Sequence, residues 1–484
     1  MALMGVVNTL ALVVLPLKMP RMTKAERKEA TTGIIGANVD ILSSSLFVST
    51  TLDLMEEAGR RKQALCVNKW GQFRMLNSGY AAISHVWAET MGLEFHDEKI
   101  EQDERGLLML HFNKIMNKAL QCGYKWIWLD LLAIPKKTAP GSSDIRLSQV
   151  KNVVINSLES VYRNADAVIV LDSFALNLPS VDPLRVAPAL VCGLWLTRIW
   201  TYQEAKLAKK ALIVTAAGVV SLADIVSALR QQAQVDKAKW DSLRKTFERL
   251  QPVHDIGIDL QDIALASTNR STENNVDYAR GFYALLGLQW QKEWNYEDGI
   301  QHIYRSRPQE VAMLASMHSL RGLAQPFSWA PRYLAKQQGH SVHSYFYNFN
   351  GSGLVGPWYT AVVRERVHVA FYGAAEAEEE EDHKLALQLR IDGMSGASVL
   401  ATVVTWDFKW TPELIEWVEL IPTGTARIIC PIAMTSYEVE SFPSVLLARQ
   451  KPHASSAQAF GDVFASAILV GGDIEAPQVQ WLLT

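Results

Sequence analysis

The sequence predicts an α/β protein in which a parallel sheet flanked by helices is followed by a helical extension and a mostly β C-terminal unit. Three observations carry this. Between residues 80 and 221, short apolar runs of strand length alternate with stretches of helical periodicity, the pattern of parallel strands joined by right-handed crossovers. From about 255 to 334 the helical spacing continues without strands. Beyond 340, apolar and polar residues alternate one by one, which is the period of a strand with one buried face.

The elements follow in order. Residues 18 to 40 read as a polar connector, and the organised part begins after it. "YAAISHVW", 80 to 87, is a buried strand whose carboxyl end reaches a loop. Leu107, Leu108, Phe112, Ile115 and Leu120 then recur near helical spacing, with Gly123 as a stop. "YKWIWLDLLAI" is the second strand, and "PKKTAPGSS", 135 to 143, is a loop by its Pro, Gly and Ser content. Ile145, Val150, Val154, Leu158 and Val161 mark the next helix, and "DAVIVLD", 166 to 172, the third strand. "LWLTRIWTYQEAKLAKK", 194 to 210, is a helix; "ALIVTAAG", 211 to 218, is the fourth strand; Ser221 caps the helix that follows. "YARGFYALLGLQW" and "EDGIQHIYRSRPQEVAMLASMHSL" are amphipathic helical segments, and "RVHVAFYG" and "KLALQLRID" are strands joined across the acidic run Glu376 to Asp382. The expected organisation is therefore an apolar segment and connector over 1–40, an α/β domain over 41–254, a helical extension over 255–335 and a β-rich domain over 336–484.

Composition narrows the function. At 484 residues the chain exceeds one ordinary core. A formal charge of -3 without any Lys/Arg block gives no electrostatic reason to expect nucleic acid. Cys66, Cys122, Cys192 and Cys430 are scattered, with neither disulfide nor zinc spacing, so a reducing cytoplasmic compartment fits best. The run "MALMGVVNTLALVVLPL", 1 to 17, leaves three readings open: a packed segment, a membrane anchor, or a signal peptide lacking the usual basic start.

Regular expressions give little. "GSGLVG", 351 to 356, fits a dinucleotide fingerprint, but Pro357 and a strand follow it, so no helix N-terminus is there to hold a pyrophosphate. His340 and His343 have no acidic or Cys partner nearby, and no metal site is expected. Ser84 and His85 are strand neighbours that point to opposite faces, so they form no triad. A parallel sheet places its sites beyond the carboxyl ends of its strands. That draws attention to Ser84, His85, Trp87, Asp130 and Asp172, and to the helix carrying Trp200 and Glu204. These two stand four apart and so share a helix face. The residues three and four away from Glu204 are Trp200, Thr201, Leu207 and Ala208, none of them a cation.

"YAAISHVW", "WIWLDLLAI", "SQVKNVVINSLESVYRNADAVIVL", "LWLTRIWTYQEAKLA", "FYALLGL" and "FSWAP" occur in the order and spacing of the heterokaryon-incompatibility (HET) domain of filamentous fungi, which the chain resembles from about 80 to 334. It departs where the family shows Cys-Ile-Asn-Gln, having Ala133, Ile134, Pro135 and Lys136, and where the family often has Asp, having Arg280. HET domains in turn look like distant relatives of Toll/interleukin-1-receptor (TIR) domains, which are flavodoxin-like and some of which cleave NAD. Their catalytic glutamate lies four residues after a Trp, the spacing of Trp200 and Glu204, although Thr201 and Arg198 replace the motif's Cys and Ser. The resemblance implies an intracellular protein of self/non-self recognition and programmed cell death. It further implies NAD as a substrate, Glu204 as the catalytic group, and Ser84, His85, Trp87, Asp130 and Trp200 as substrate contacts, with no cofactor.

The chemistry is coherent, because a carboxylate can stabilise the oxocarbenium-like sugar left when neutral nicotinamide departs. The alternative is the same fold used as a signalling and assembly module, through self-association or a partner signalling protein. Core packing competes as the role of Trp87, Trp128 and Trp200, a loop-capping hydrogen bond as that of Asp130, and a tertiary salt bridge to an Arg as that of Glu204. A buried, paired Glu204 favours the non-catalytic role.

Overall fold

A computed structural model of the chain describes residues 23, 46–86, 106–135, 145–252, 258–315, 323–334, 348–372, 384–392, 398–405, 412–430, 444–452, 458–471, 474 and 476–484. Residues 1–17, Trp87, His340, His343 and the run Glu376 to Asp382 lie outside them. The chain divides into two compact units, one of residues 1–195 and 207–244, the other of residues 196–206 and 245–484.

In the first unit, β1 (Phe47–Val48) pairs with β5 (Leu107–Leu108). The main sheet holds β2 (Ala64–Asn68), β3 (Phe73–Leu76), β4 (Ala81–His85), β6 (Trp126–Trp128), β7 (Ala167–Leu171), β8 (Ala211–Val214) and β9 (Val219–Ser221), in the order β3-β2-β6-β4-β7-β8-β9. β6, β4, β7 and β8 are mutually parallel, and the pairs β6–β2, β2–β3 and β8–β9 outside them are antiparallel. The parallel strands thus run second, first, third, fourth in chain order, the flavodoxin-like arrangement. Every residue of β4 and β7 is buried, as befits strands covered on both faces. One face packs Ala81, Ile83, Ile169 and Leu171 against Phe112, Ile115 and Met116 of the helix Met109–Gln121. That helix stops where expected, with Gly123 at φ +87.

Four local expectations needed adjustment. The second strand is only Trp126–Trp128; Asp130–Ala133 forms a helical turn, opened by the hydrogen bond from Leu131 N to Asp130 Oδ1 at 2.7 Å. After Asp130 the turn is apolar and buried, so periodicity does not separate it from a buried strand. The helix predicted from 145 divides into Ile145–Ile155 and Leu158–Asn164, where the Ser157 hydroxyl bonds back to Val154 O at 2.7 Å. The helix predicted from 194 starts at Ile199, because the backbone at Thr197 and Ile199 pairs with Ser271 instead. The edge hairpin β2–β3 and the helices Leu52–Arg60 and Pro183–Cys192 stand beside the predicted elements. Ser221 caps Leu222–Val235 as expected, in a reciprocal capping box with Asp224.

The second unit opens with helices, Leu260–Ser267, Asp277–Arg280, Tyr283–Leu286, Tyr296–Ser306 and Pro308–Leu314, as the spacing predicts. Its strands are β10 (Asn348–Phe349), β11 (Leu354–Tyr372), β12 (Lys384–Asp392), β13 (Ser398–Thr405), β14 (Ala426–Cys430), β15 (Ser444–Lys451), β16 (Ala459–Gly471) and β17 (Gln478–Leu483). The pairs β11–β12, β12–β13, β13–β16, β16–β15, β15–β14 and β14–β11 are all antiparallel and close into a ring. Val362 of β11 is the closure point, facing Asp392 on one side and Arg427 on the other. Leu387, Leu389 and Ile391 alternate inward to meet Val403, Ile428, Val445, Leu447 and Trp417, so the interior is a packed core. The "GSGLVG" segment is the β10–β11 turn: Gly351 sits at φ +88, and Asn350 Oδ1 accepts from Ser352 N and Gly353 N. Among the described residues no helix is long and apolar enough to cross a membrane.

Candidate functional site

In the first unit the strand order reverses at β4, with β6 on one side and β7 on the other. Crevices of such sheets open at this point beyond the carboxyl ends. His85 is the last residue of β4 and lies opposite Leu171 of β7. Its Nε2 donates to Asp130 Oδ1 at 2.9 Å, with the two side chains 2% and 18% exposed. This bond assigns the proton to Nε2; Nδ1 is buried without a hydrogen-bond partner. Ser84 projects to the other face, where its fully buried hydroxyl accepts from Trp195 Nε1 at 2.7 Å. Asp172, also fully buried, accepts from Phe174 N, Ala175 N and Trp195 N. A Cβ at residue 193 would run into that carboxylate, so Gly193 lets the chain pass. The structure thus brings His85 and Asp130 together and separates Ser84 from them across the sheet. Trp128 is core, edge-on to Tyr162 at 5.4 Å.

Trp200 and Glu204 belong to the second unit, on the helix Ile199–Leu207. Every residue from Thr201 to Ala208 is buried, although four of the eight are polar or charged. Ile199 fits over Gly281, where any Cβ would strike its side chain. Trp200 is half-buried; its Nε1 donates to Asp277 Oδ2 at 3.0 Å, and the Arg280 guanidinium lies 5.7 Å from its ring centre while pairing with Asp277 Oδ1. Trp200 therefore has its indole N–H engaged and a cation near its ring. Arg280, at the position where the resemblance leads one to expect Asp, completes that cluster.

Arg270 is the counter-charge that the sequence concealed. It is 4% exposed and donates to Arg198 O at 2.6 Å, Thr201 Oγ1 at 3.0 Å and Ala266 O at 3.1 Å, with the Tyr202 ring 5.2 Å away. Burial pushes its pKa down to about 10, opposed by Tyr202 and by the negative charge of Glu204. Glu204 is 8% exposed, and its carboxylate helps keep this buried guanidinium charged. One turn further, burial lowers the pKa of Lys206 against the opposing pull of Asp262 and Asp259, while burial and then Asp259 raise that of Asp262. The helix is thus a buried row of charges answered by the Leu260–Ser267 region. Arg270 lies in "ASTNRSTENN", a polar stretch that reads as surface loop, and only its tertiary position reveals it.

The first unit is a doubly wound α/β domain with a His–Asp pair at its switch point. Residues 80–175 match the family model described as heterokaryon incompatibility protein (HET). That segment runs from the first parallel strand into the helix after β7. No curated protein matches the chain, and no solved structure does.

Proposed function

We propose that the protein acts in fungal self/non-self recognition and programmed cell death, in the cytoplasm, as a HET-type signalling and assembly module. The observation supporting a non-catalytic role is the burial of Glu204 beside Arg270: the carboxylate already has a task inside the fold. A signal would be passed on by self-association or by a partner signalling protein.

A second reading is favoured by the register of Trp200 and Glu204 on one helix, with Trp200 half-buried. In it the protein hydrolyses NAD. Glu204 would stabilise the oxocarbenium-like ribosyl group as neutral nicotinamide leaves, a water would then attack the sugar carbon, and Trp200 would contact the substrate. Purified protein incubated with NAD separates the two, with Glu204→Gln alongside and circular dichroism to show that both are folded. No nicotinamide even from concentrated or clustered protein supports the module; nicotinamide from the parent and none from folded Glu204→Gln supports turnover. Equal release from both would acquit Glu204 of catalysis. Toxicity on overexpression in a fungal host, with the same pair of proteins, tests the cell-death role.

A further inference from the structure

The sheet of the first unit has a second end, opposite the one that carries His85. Because β2 runs antiparallel to β6, Asn68 at the close of β2 lies beside Trp126 at the start of β6. The β2–β3 turn and Lys125 therefore share the end at which the parallel strands begin. Lys209 and Lys210 lead into β8 at that same end, where Val168 N of β7 donates to Lys210 O at 2.9 Å. Lys118, in the last turn of the helix Met109–Gln121, joins them: it and Lys210 both favour the ionised form of the Cys122 thiol, and Lys210 Nζ lies 5.8 Å from the centre of the Tyr124 ring. Lys69, Lys125, Lys209 and Lys210 are exposed and Lys118 is half-buried. Lys209 Nζ lies 3.6 Å from Asp166 Oδ1, whereas the other four lysines form no ion pair among the described residues. The row crosses four strand spacings from β2 to β8, about 19 Å. At one extremity stands Trp70, 70% exposed, with Lys69 Nζ 4.3 Å from its ring centre. A side chain of that size ordinarily buries most of its surface. Here a turn fixed by Asn68 Oδ1, which accepts from Trp70 N and Gln72 N, holds it out.

We propose that this lysine rim is a peripheral docking surface for a membrane bearing anionic lipid headgroups, with Trp70 as its interfacial anchor. The charge is complementary, and each lysine held near such a surface is attracted to it. An indole, apolar in body and polar at its N–H, settles at the level of the headgroups, and Lys69 beside it meets the lipid phosphates there. The unpaired cations are all lysines, compact point charges suited to a plane of negative charge. Recognition of one discrete phosphate or carboxylate favours the two-pronged fork of arginine instead. The five lysines are scattered from 69 to 210, so the sequence shows no basic block and only the sheet assembles the rim. The inference goes beyond the function proposed above and depends on neither of its readings, since it uses no group at the other end of the sheet and neither Trp200 nor Glu204.

The test sediments the full chain with vesicles of equal parts phosphatidylserine and phosphatidylcholine, and with phosphatidylcholine alone, at low and at high salt. The protein should bind the anionic vesicles only, and high salt should weaken that binding. Each lysine at such a surface is worth about fivefold in partitioning, so Lys69→Gln combined with Lys125→Gln should weaken binding about 25-fold. Trp70→Ala should weaken it with the charge unchanged. Lys237→Gln combined with Lys239→Gln removes the same charge from the exposed start of the helix Lys237–Glu248 and should stay within twofold of the parent. All five positions are exposed, and circular dichroism checks that each variant is folded. The proposal is overturned if the parent ignores the anionic vesicles or binds phosphatidylcholine alone as well. It is overturned equally if the Lys69 and Lys125 pair loses no more than the Lys237 and Lys239 pair, or if Trp70→Ala binds as the parent does. Capture of an oligonucleotide or of polyglutamate by a parent that ignores vesicles would also overturn it, and would assign the rim to nucleic acid or to an acidic protein segment. Vesicle binding by the parent is measured without any variant, so it decides the matter even if a variant does not fold.

Discussion

Replacing Glu204 with Gln tests whether the buried carboxylate holds the second unit together. Arg270 is held charged against burial, with Glu204 among the charges that favour its ionised form. Removing one side of a buried charge pair costs about 3–5 kcal/mol. The Gln side chain keeps the shape and some hydrogen bonding, and Arg270 retains its acceptors at Arg198 O, Thr201 Oγ1 and Ala266 O. The expected loss is therefore about 2–3 kcal/mol, roughly a 30- to 150-fold larger local opening constant. Hydrogen exchange read by mass spectrometry is the suitable assay, because a chain of two units does not unfold in one step. Peptides covering residues 196–206 and 258–271 should exchange faster by that factor, and those of β4 and β7 should not. Arg270→Met combined with Glu204→Gln should cost less than the two changes added, since they remove the same interaction. Protection within twofold of the parent would refute the structural role and leave the carboxylate available for chemistry.

Ser221→Ala removes one half of the capping box on Leu222–Val235 and should cost about 1 kcal/mol, seen as faster exchange in that helix. Trp417→Ala empties the centre of the closed sheet, where the indole N–H also reaches Ala448 O at 3.2 Å; a loss of about 3–5 kcal/mol is expected in denaturant unfolding of the barrel. Gly193→Ala drives a methyl against the Asp172 carboxylate and should cost about 1–3 kcal/mol, lowering the melting temperature of the first unit. Burial pushes the Asp462 carboxyl up, but hydrogen bonds from Lys451 and Arg449 outweigh it and hold the carboxyl below its ordinary 3.8. Its stabilisation is thus fully present above that value and is lost as pH falls through the depressed folded value. Melting curves between about pH 6 and pH 2 should fall less steeply for Asp462→Asn; identical profiles would exclude the network as an acid-sensitive tie.

The parallel core was legible because β4, β7 and β8 are continuous apolar runs separated by helical periodicity, and periodicity is a local property. Ser221 and Gly123 were legible for the same reason, as punctuation whose physics acts within a turn. The β2–β3 hairpin carried a usable signal that went unread: Asn68 Oδ1 accepts from Trp70 N and Gln72 N, and Gly71 takes φ +73, which is turn chemistry of a known kind. The helix Pro183–Cys192 also had its markers, Asp182 capping and Pro183 in the first turn, but Pro188 inside it argues against a helix.

At the candidate site, the sequence placed Glu204 on a helix with no local cation, and that much is local. Arg270, 66 residues on in the numbering and the source of the counter-charge, was hidden because nothing nearby in sequence marks a buried arginine. The Ser84–Trp195 and His85–Asp130 bonds were hidden for the same reason: each joins side chains brought together only by the sheet.

A ring of hydrogen-bonded strands has a consequence for recruitment. Proteins often capture a partner by letting an extended peptide lie along an unpaired strand and extend the sheet, the same vulnerability that drives uncontrolled aggregation. At Val362, where the six strands close, β11 has a partner on both sides, and along the closed part no such margin is open. Among the described residues, the stretch of β11 beyond it, 363–372, pairs with β12 alone. Strand addition among the described residues could therefore use that stretch, β3 or β9 at the margins of the seven-stranded sheet, the β1–β5 pair, or the two-residue β10. A partner of the closed part must instead read side chains on its outer wall or at its ends. Copies that cluster there would do so by surface fit, with no templated growth of one sheet into the next.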